Sequence, residues 1–174
     1  LSDSFGDMVV RIQELMTRVR SEEVALRKTE LRALQAQINP HFLYNTLDSI
    51  ALMCEDGRNK DAVDMVNALA RLFRISISKG HELIPIQKEV EHAQSYLKIQ
   101  KFRYKNQFEY GFEVEEQCLK YYCNKITLQP IIENALFHGI EPKGCAGHIL
   151  LSAQRVQSDL GTVLQISVTD NGVG

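Results

Sequence analysis

Asn39-Pro40-His41-Phe42-Leu43-Tyr44-Asn45 sets a proline and then a histidine inside a segment whose neighbours on both sides read as helix. Proline removes a backbone donor and its ring clashes with the preceding turn, so the pattern predicts a helix kinked beside the imidazole. The carbonyl of Ala36 is expected to lose its usual partner there. A histidine that only fills a core gains nothing from such a break, whereas a reactive one gains exposure and a defined approach. Upstream, Phe5, Ile12, Val19 and Leu26 share one heptad position, with Val9 and Met16 on the adjoining one. That spacing predicts a helix with one apolar seam, covered most simply in a parallel coiled coil. Glu14–Arg18 and Glu23–Arg27 sit at i,i+4 with the acid first, the favourable order on a solvated face.

Downstream, Leu43, Leu47, Ile50 and Cys54 recur at helical spacing, while His41, Asn45 and Asp48 form a separate polar stripe. Glu55-Asp56-Gly57-Arg58-Asn59 reads as a turn. Ala62, Met65, Val66, Leu69, Leu72 and Phe73 form the face of a second amphipathic helix. Two helices with a short connection predict an antiparallel hairpin, and one hairpin buries so little that a homodimeric four-helix bundle is expected. Lys79-Gly80 and Pro85 read as a linker. Beyond it come a helix from Gln87 to Tyr104, with Val90, Ala93 and Leu97 inward, and a strand through Phe108, Tyr110, Phe112 and Val114. Ile126 to Phe137 is helical in pattern. His148 to Arg155 and Val163 to Thr169 are strands turning at Ser158-Asp159-Leu160-Gly161. This half predicts an α+β sandwich with helices on one face of a mixed sheet.

The 174 residues are 44% hydrophobic and 24% charged, which accommodates a helical module plus a small α/β domain. A formal charge of −2 gives no reason to expect nucleic acid or an anionic membrane as partner. No apolar run approaches the roughly 20 residues that span a bilayer. The chain begins at Leu1 rather than Met, so it reads as an excised piece with any membrane anchor upstream. Cys54, Cys118, Cys123 and Cys145 form no CxxC pair, which points to reduced thiols in the cytoplasm. Cys118, Cys123, Cys145 and His148 are an alternative set of zinc ligands at loose spacing, which would make the chain a zinc-stabilised coiled-coil adaptor.

Two further motifs follow the histidine: Glu133-Asn134-Ala135-Leu136-Phe137-His138-Gly139 and Asp170-Asn171-Gly172-Val173-Gly174. With Leu34 to Asn45 and the intervening Tyr96-Leu97-x-Ile99-Gln100, they give a chain that resembles the LytS/YesM family of sensor histidine kinases nearly end to end. Leu34 to Asn45 is similar to the family's phosphoacceptor box, Leu128 to Gly139 to its N box, and Asp170-x-Gly172-x-Gly174 to its first glycine box. The resemblance implies ATP-dependent phosphorylation of His41 and transfer to an aspartate of a cytoplasmic response regulator. It also implies Asn134 as a ligand of Mg2+, Glu133 as base or polariser for the imidazole, and His138 near the phosphates. Asp170 would accept the adenine amino group, with Gly172 and Gly174 allowing backbone to approach the nucleotide. Phe42 stands where other histidine kinases carry an acid directly after the histidine. Asn45 would orient a water that removes phosphate from the regulator.

The domains expected from the resemblance are 1–30, a signalling helix like the exit of a HAMP module; 31–80, the dimerisation and phosphotransfer hairpin; and 81–174, the first part of a Bergerat-type ATP-binding domain. The family's lid and second glycine box would follow Gly174, so weak or absent nucleotide binding is expected of this piece. The alternative is a non-catalytic dimerisation and phosphotransfer module.

Overall fold

The computed structural model describes residues 11, 14–24, 39–77, 83–105, 107–144, 146–159 and 161–173, and the chain divides into two compact units between Leu43 and Tyr44. In the first unit residues 14–24 are helical, with Met16 and Val19 exposed. Arg18 pairs with Glu22 at 3.0 Å rather than with Glu14. Phe5, Val9, Ile12, Leu26 and Arg27 lie outside the described residues, as does Ala36.

Pro40 does not kink a described helix; it begins one. Helix α1 (Pro40–Glu55) opens with proline at its first position, where the missing N–H would have had no helical acceptor in any case. Asn39 is non-helical, and its Oδ1 accepts the N–H of His41 at 3.1 Å and of Phe42 at 3.2 Å. Its carbonyl takes the N–H of Leu43 at 3.1 Å, so Asn39 caps the helix with both side chain and backbone. The segment before Asn39, on which the expected kink depends, lies outside the described residues.

Along α1 the residues buried are Phe42, Thr46 and Met53, while Leu47 and Cys54 of the expected apolar stripe are exposed, with Tyr44 and Leu52 beside them. The helix ends in a Schellman turn: Arg58 N–H bonds the Met53 carbonyl and Gly57 N–H the Cys54 carbonyl, with Gly57 at φ +73°. Helix α2 (Asn59–Ser76) buries Ala62, Met65, Leu69 and Leu72 as the spacing predicts, and exposes Val63 and Val66.

Leu83–Pro85, expected as linker, is strand β1. It pairs antiparallel with β3 (Tyr122–Asn124), Ile84 opposite Cys123. Pro85 is tolerated because this two-stranded sheet leaves it at an edge. Helix α3 (Ile86–Arg103) buries Val90, Ala93 and Leu97 and lies along α2, tied to it by Lys98 Nζ to Asp64 Oδ2 at 3.1 Å. Strand β2 (Phe108–Val114) runs parallel to β4 (Gly147–Ser158), which forms a hairpin with β5 (Gly161–Asp170) in the order β2-β4-β5. The sheet is thus mixed and the chain α+β. Ile149, Leu151 and Ala153 alternate along β4 on the buried face, with Phe108 and the helical Ile132 and Leu136 completing that core.

The end of α2 meets α3 through a buried imidazole. Ser76 Oγ donates to the Leu72 carbonyl at 2.9 Å, so its oxygen must accept from His92 Nε2–H, also 2.9 Å away. That fixes the neutral tautomer and leaves His92 Nδ1 buried with no partner among the described residues. Protonating it would bury a charge, and burial, with Lys125 nearby, lowers the His92 pKa to about 4. Above the unfolded value near 6.5 the group contributes no pH dependence. From there down to about pH 4 the unfolded chain takes a proton that the folded chain refuses. Urea titrations are expected to show stability falling by up to about 3 kcal/mol across that window. His92→Leu should flatten this part of the profile.

Candidate functional site

Glu133 and Asn134 close a short helix, α4 (Leu128–Asn134), whose start is built under constraint. Ile126, just before it, has φ +62°, a conformation a β-branched residue adopts only when its surroundings impose it. The clamp is Glu89 of α3. Its carboxylate, fully buried, accepts Ile126 N–H at 3.0 Å and Leu128 N–H at 2.8 Å. An anion at a helix N-terminus is favoured by the helix dipole and satisfies donors that have no helical acceptor. Pro130 in the first turn adds no conflict, since its ring needs no N–H partner there.

After Asn134 the winding changes: Ala135–Ile140 is π-helix, not the continuation of α-helix that the periodicity predicts. Such stretches occur mostly as local insertions at functional sites. Within it His138 is exposed and Gly139 buried. The exposed side chains of Asn134 and His138 form no hydrogen bond among the described residues, leaving the Asn134 amide oxygen open to a hard cation. Glu133 is half-buried, with Oε1 accepting Gln129 Nε2 at 2.8 Å.

The π segment brings the second and third motifs into contact. A Cβ on Gly139 would lie 2.5 Å from Asp170 Oδ1, and one on Gly172 would lie 2.2 Å from the Gly139 carbonyl carbon. At Gly172 the obstacle is backbone, so that position needs glycine, whereas at Gly139 it is the end of the Asp170 side chain, which a methyl would force to turn aside. Val173 N–H donates to the Gly139 carbonyl at 3.0 Å, and Gly172 N–H to Asp170 Oδ1 at 2.8 Å. Asp170 is exposed, so its second oxygen remains available to a donor such as an exocyclic amino group. Asn171 holds the turn to β4, its Oδ1 accepting His148 N–H at 2.8 Å, and Lys143 Nζ caps its carbonyl at 2.6 Å. An amide ligand, a part-satisfied carboxylate and a side-chain-free backbone junction suit a magnesium nucleotide.

Glu133, Asn134, His138, Asp170 and Gly172 all belong to the second unit, whereas His41 belongs to the first. His41 is exposed one residue into α1. Asn45 is half-buried in the same helix, with its carbonyl accepting the Ser49 hydroxyl at 2.8 Å. Gly174 lies outside the described residues. A cavity of about 640 Å³ among α2, α3 and β2 touches none of these residues. Glu89 was not foreseen, although an acid on the inward side of α3 is the kind of signal that could have found it.

Among the described residues no group of three or more histidine, cysteine or acidic side chains is placed to hold a metal, and Cys145 lies outside them. Burial, with the charge of Glu89, pushes the Cys123 thiol up to about 11, away from the thiolate that zinc requires. No described helix is long and apolar enough to cross a membrane.

Residues 29–108 match the family described as histidine kinase. The whole chain is 38% identical to the sensor histidine kinase YesM of Bacillus subtilis, covering 30% of that protein. Over 91% of its length it is 31% identical to the sensor histidine kinase BtsS of Escherichia coli, covering 28% of it. Over 90% it is 28% identical to the sensor protein LytS of Staphylococcus saprophyticus, covering 26%. The chain therefore spans less than a third of these relatives.

Proposed function

Because the chain belongs to the LytS/YesM family of sensor histidine kinases, we propose that it carries the phosphoacceptor and part of the ATP site of a two-component kinase. The observation that carries this reading is the junction of Gly139 with Asp170 and Gly172, which sets the two nucleotide motifs side by side. Asp170 reads the adenine amino group, and the backbone at Gly172 and Gly174 allows the nucleotide close. Asn134 is the ligand for Mg2+, which when bound offsets phosphate charge. His138 lies beside the phosphates.

A neutral ring nitrogen of His41 attacks the γ-phosphorus of ATP. The N–P bond forms as the bond to the bridging oxygen breaks, ADP leaves, and the other ring nitrogen gives up its proton, for which Glu133 is the acceptor. An aspartate oxygen of a response regulator then takes the phosphoryl group and imidazole regains its proton. Asn45 orients the water that later removes phosphate from the regulator. The exposed Leu47, Leu52, Val63 and Val66 supply apolar surface for a homodimeric four-helix bundle. Residues 81–174 are the first part of a Bergerat-type domain, and the protein works as the cytoplasmic portion of a membrane receptor.

The test is transfer of labelled phosphate from Mg-ATP to the intact protein carrying this chain. An acid-labile, base-stable label mapping to His41 is expected, with none on His41→Gln. Loss of helicity or of the dimer in that variant would count against a purely chemical role for His41. No label on folded wild-type protein would favour the non-catalytic module.

A further inference from the structure

Helix α2 carries Arg71 and Arg74 at i and i+3, hence on one face, and both are exposed. They line the cavity of about 640 Å³ among α2, α3 and β2, and also a neighbouring one of about 380 Å³ beside Ile84 and Lys88. Every acid on the two helices is engaged elsewhere. Asp61 pairs with Arg58 at 2.8 Å, Asp64 with Lys98 at 3.1 Å and Glu91 with Lys88 at 2.7 Å, while Glu89 holds the start of α4. Along β2, Glu109 and Glu113 alternate with the cavity-lining Tyr110 and Phe112, so they fall on the opposite face of the strand. Arg71 and Arg74 accordingly form no ion pair or hydrogen bond among the described residues. The same holds for the exposed amides of Asn67 and Gln94, which also line the larger cavity.

We propose that the larger cavity is a binding site for a small organic anion, a phosphate or carboxylate group on a flat apolar body, held by Arg71 and Arg74 with its ring against Tyr110 and Phe112. Its volume falls in the range of small-molecule sites, about 300–1,000 Å³. Lys98 is neutralised by Asp64, so the positive charge left over belongs to the two arginines. A guanidinium presents a planar fork of donors that matches two oxygens of a carboxylate or phosphate. Across from it the half-buried rings of Tyr110 and Phe112 stand edge to face, centroids 6.0 Å apart, and offer apolar surface to a planar group. Burial, and then the charge of Glu109, raise the Tyr110 phenol above its ordinary value, so its hydroxyl stays protonated and can donate to an anion. The site shares no residue with the nucleotide motifs, and the inference does not rest on the nucleotide reading. With α2 forming one wall and β2 another, an occupant stabilises the packing of helix against sheet.

The experiment is calorimetric titration of the intact protein carrying this chain with phenyl phosphate, isophthalate and inorganic phosphate. At least one ring-bearing probe is expected to bind once per chain with a Kd below about 1 mM, and the tighter of the two tells a phosphate ester from a dicarboxylate. Inorganic phosphate, which lacks the ring, should bind about tenfold more weakly or not at all. Arg71→Gln and Arg74→Gln should each weaken the ring-bearing probe about tenfold, the scale of one hydrogen bond between charged groups. Both arginines are exposed, so these variants should melt with wild type by circular dichroism. Phe112→Leu should weaken the ring-bearing probes and leave inorganic phosphate unchanged. Gly172→Ala, aimed at the nucleotide motifs, should leave binding of every probe unchanged. No saturable binding of either ring-bearing probe up to about 10 mM overturns the proposal. Wild-type affinity in the double variant Arg71→Gln, Arg74→Gln overturns it as well. So does binding lost in Gly172→Ala but kept in the arginine variants, because that places the anion at the nucleotide motifs.

Discussion

Gly172→Ala is expected to abolish productive nucleotide binding while leaving the helices intact. Its new methyl would meet backbone, at 2.2 Å from the Gly139 carbonyl carbon and 2.3 Å from its oxygen, and backbone cannot swing aside as a side chain can. The strand end and the π segment must part, and the bond from Val173 N–H to the Gly139 carbonyl breaks with them. Overpacking of this kind costs about 1–3 kcal/mol or more, so ATP affinity in the intact protein should drop at least about tenfold. Gly139→Ala makes an informative contrast, because its methyl meets the Asp170 carboxylate, which can rotate away. That variant should lose discrimination for an amino-bearing base before it loses binding altogether. In this chain alone, amide exchange reads the same event: the Val173 N–H should exchange faster in Gly172→Ala. Unchanged exchange and unchanged affinity together would mean the junction does not hold the two motifs.

Glu89→Ala should be the most destabilising single substitution among those considered, at about 3–5 kcal/mol, a large share of a domain's total stability. It strips the acceptor from two N–H groups, one of them at the head of α4, and no water-exposed surface is at hand because Glu89 is fully buried. The left-handed backbone at Ile126 then loses the contact that imposes it. Denaturant unfolding of the chain measures the effect directly. Glu89→Gln keeps one acceptor oxygen but turns an amide N–H₂ toward a backbone donor, so it should recover only part of the loss. A midpoint for Glu89→Ala within experimental error of wild type would show that the clamp holds nothing.

Much of this architecture is legible in the residue pattern. Alternation predicts β2, the Ser158–Gly161 turn predicts the β4–β5 hairpin, and the spacing of Val90, Ala93 and Leu97 predicts the inward face of α3. These are periodicities, and burial enforces them. What the pattern does not carry is whatever depends on a partner distant in sequence. Leu83–Pro85 looks like linker because a three-residue strand has no period, and its mate is Tyr122–Asn124. Ile126 gives no warning of its backbone, since isoleucine is the wrong residue for it and Glu89 supplies the reason from another helix. The three motifs were visible as strings, but the contact of Gly139 with Gly172 depends on a change of helical winding that no residue there announces.

That change of winding has a consequence for how the N box is inherited and altered. An α-helix turns about 100° per residue, and a π segment turns less for each residue it adds. Glu133 and Asn134 are set in phase by the α-helical half, and Gly139 by the π half. The two ends of one continuous motif therefore keep separate clocks. Shortening the segment 135–140 by a residue would leave every chemical group in place at the front and turn the glycine away from the strand behind, so its length is as much a part of the site as its side chains.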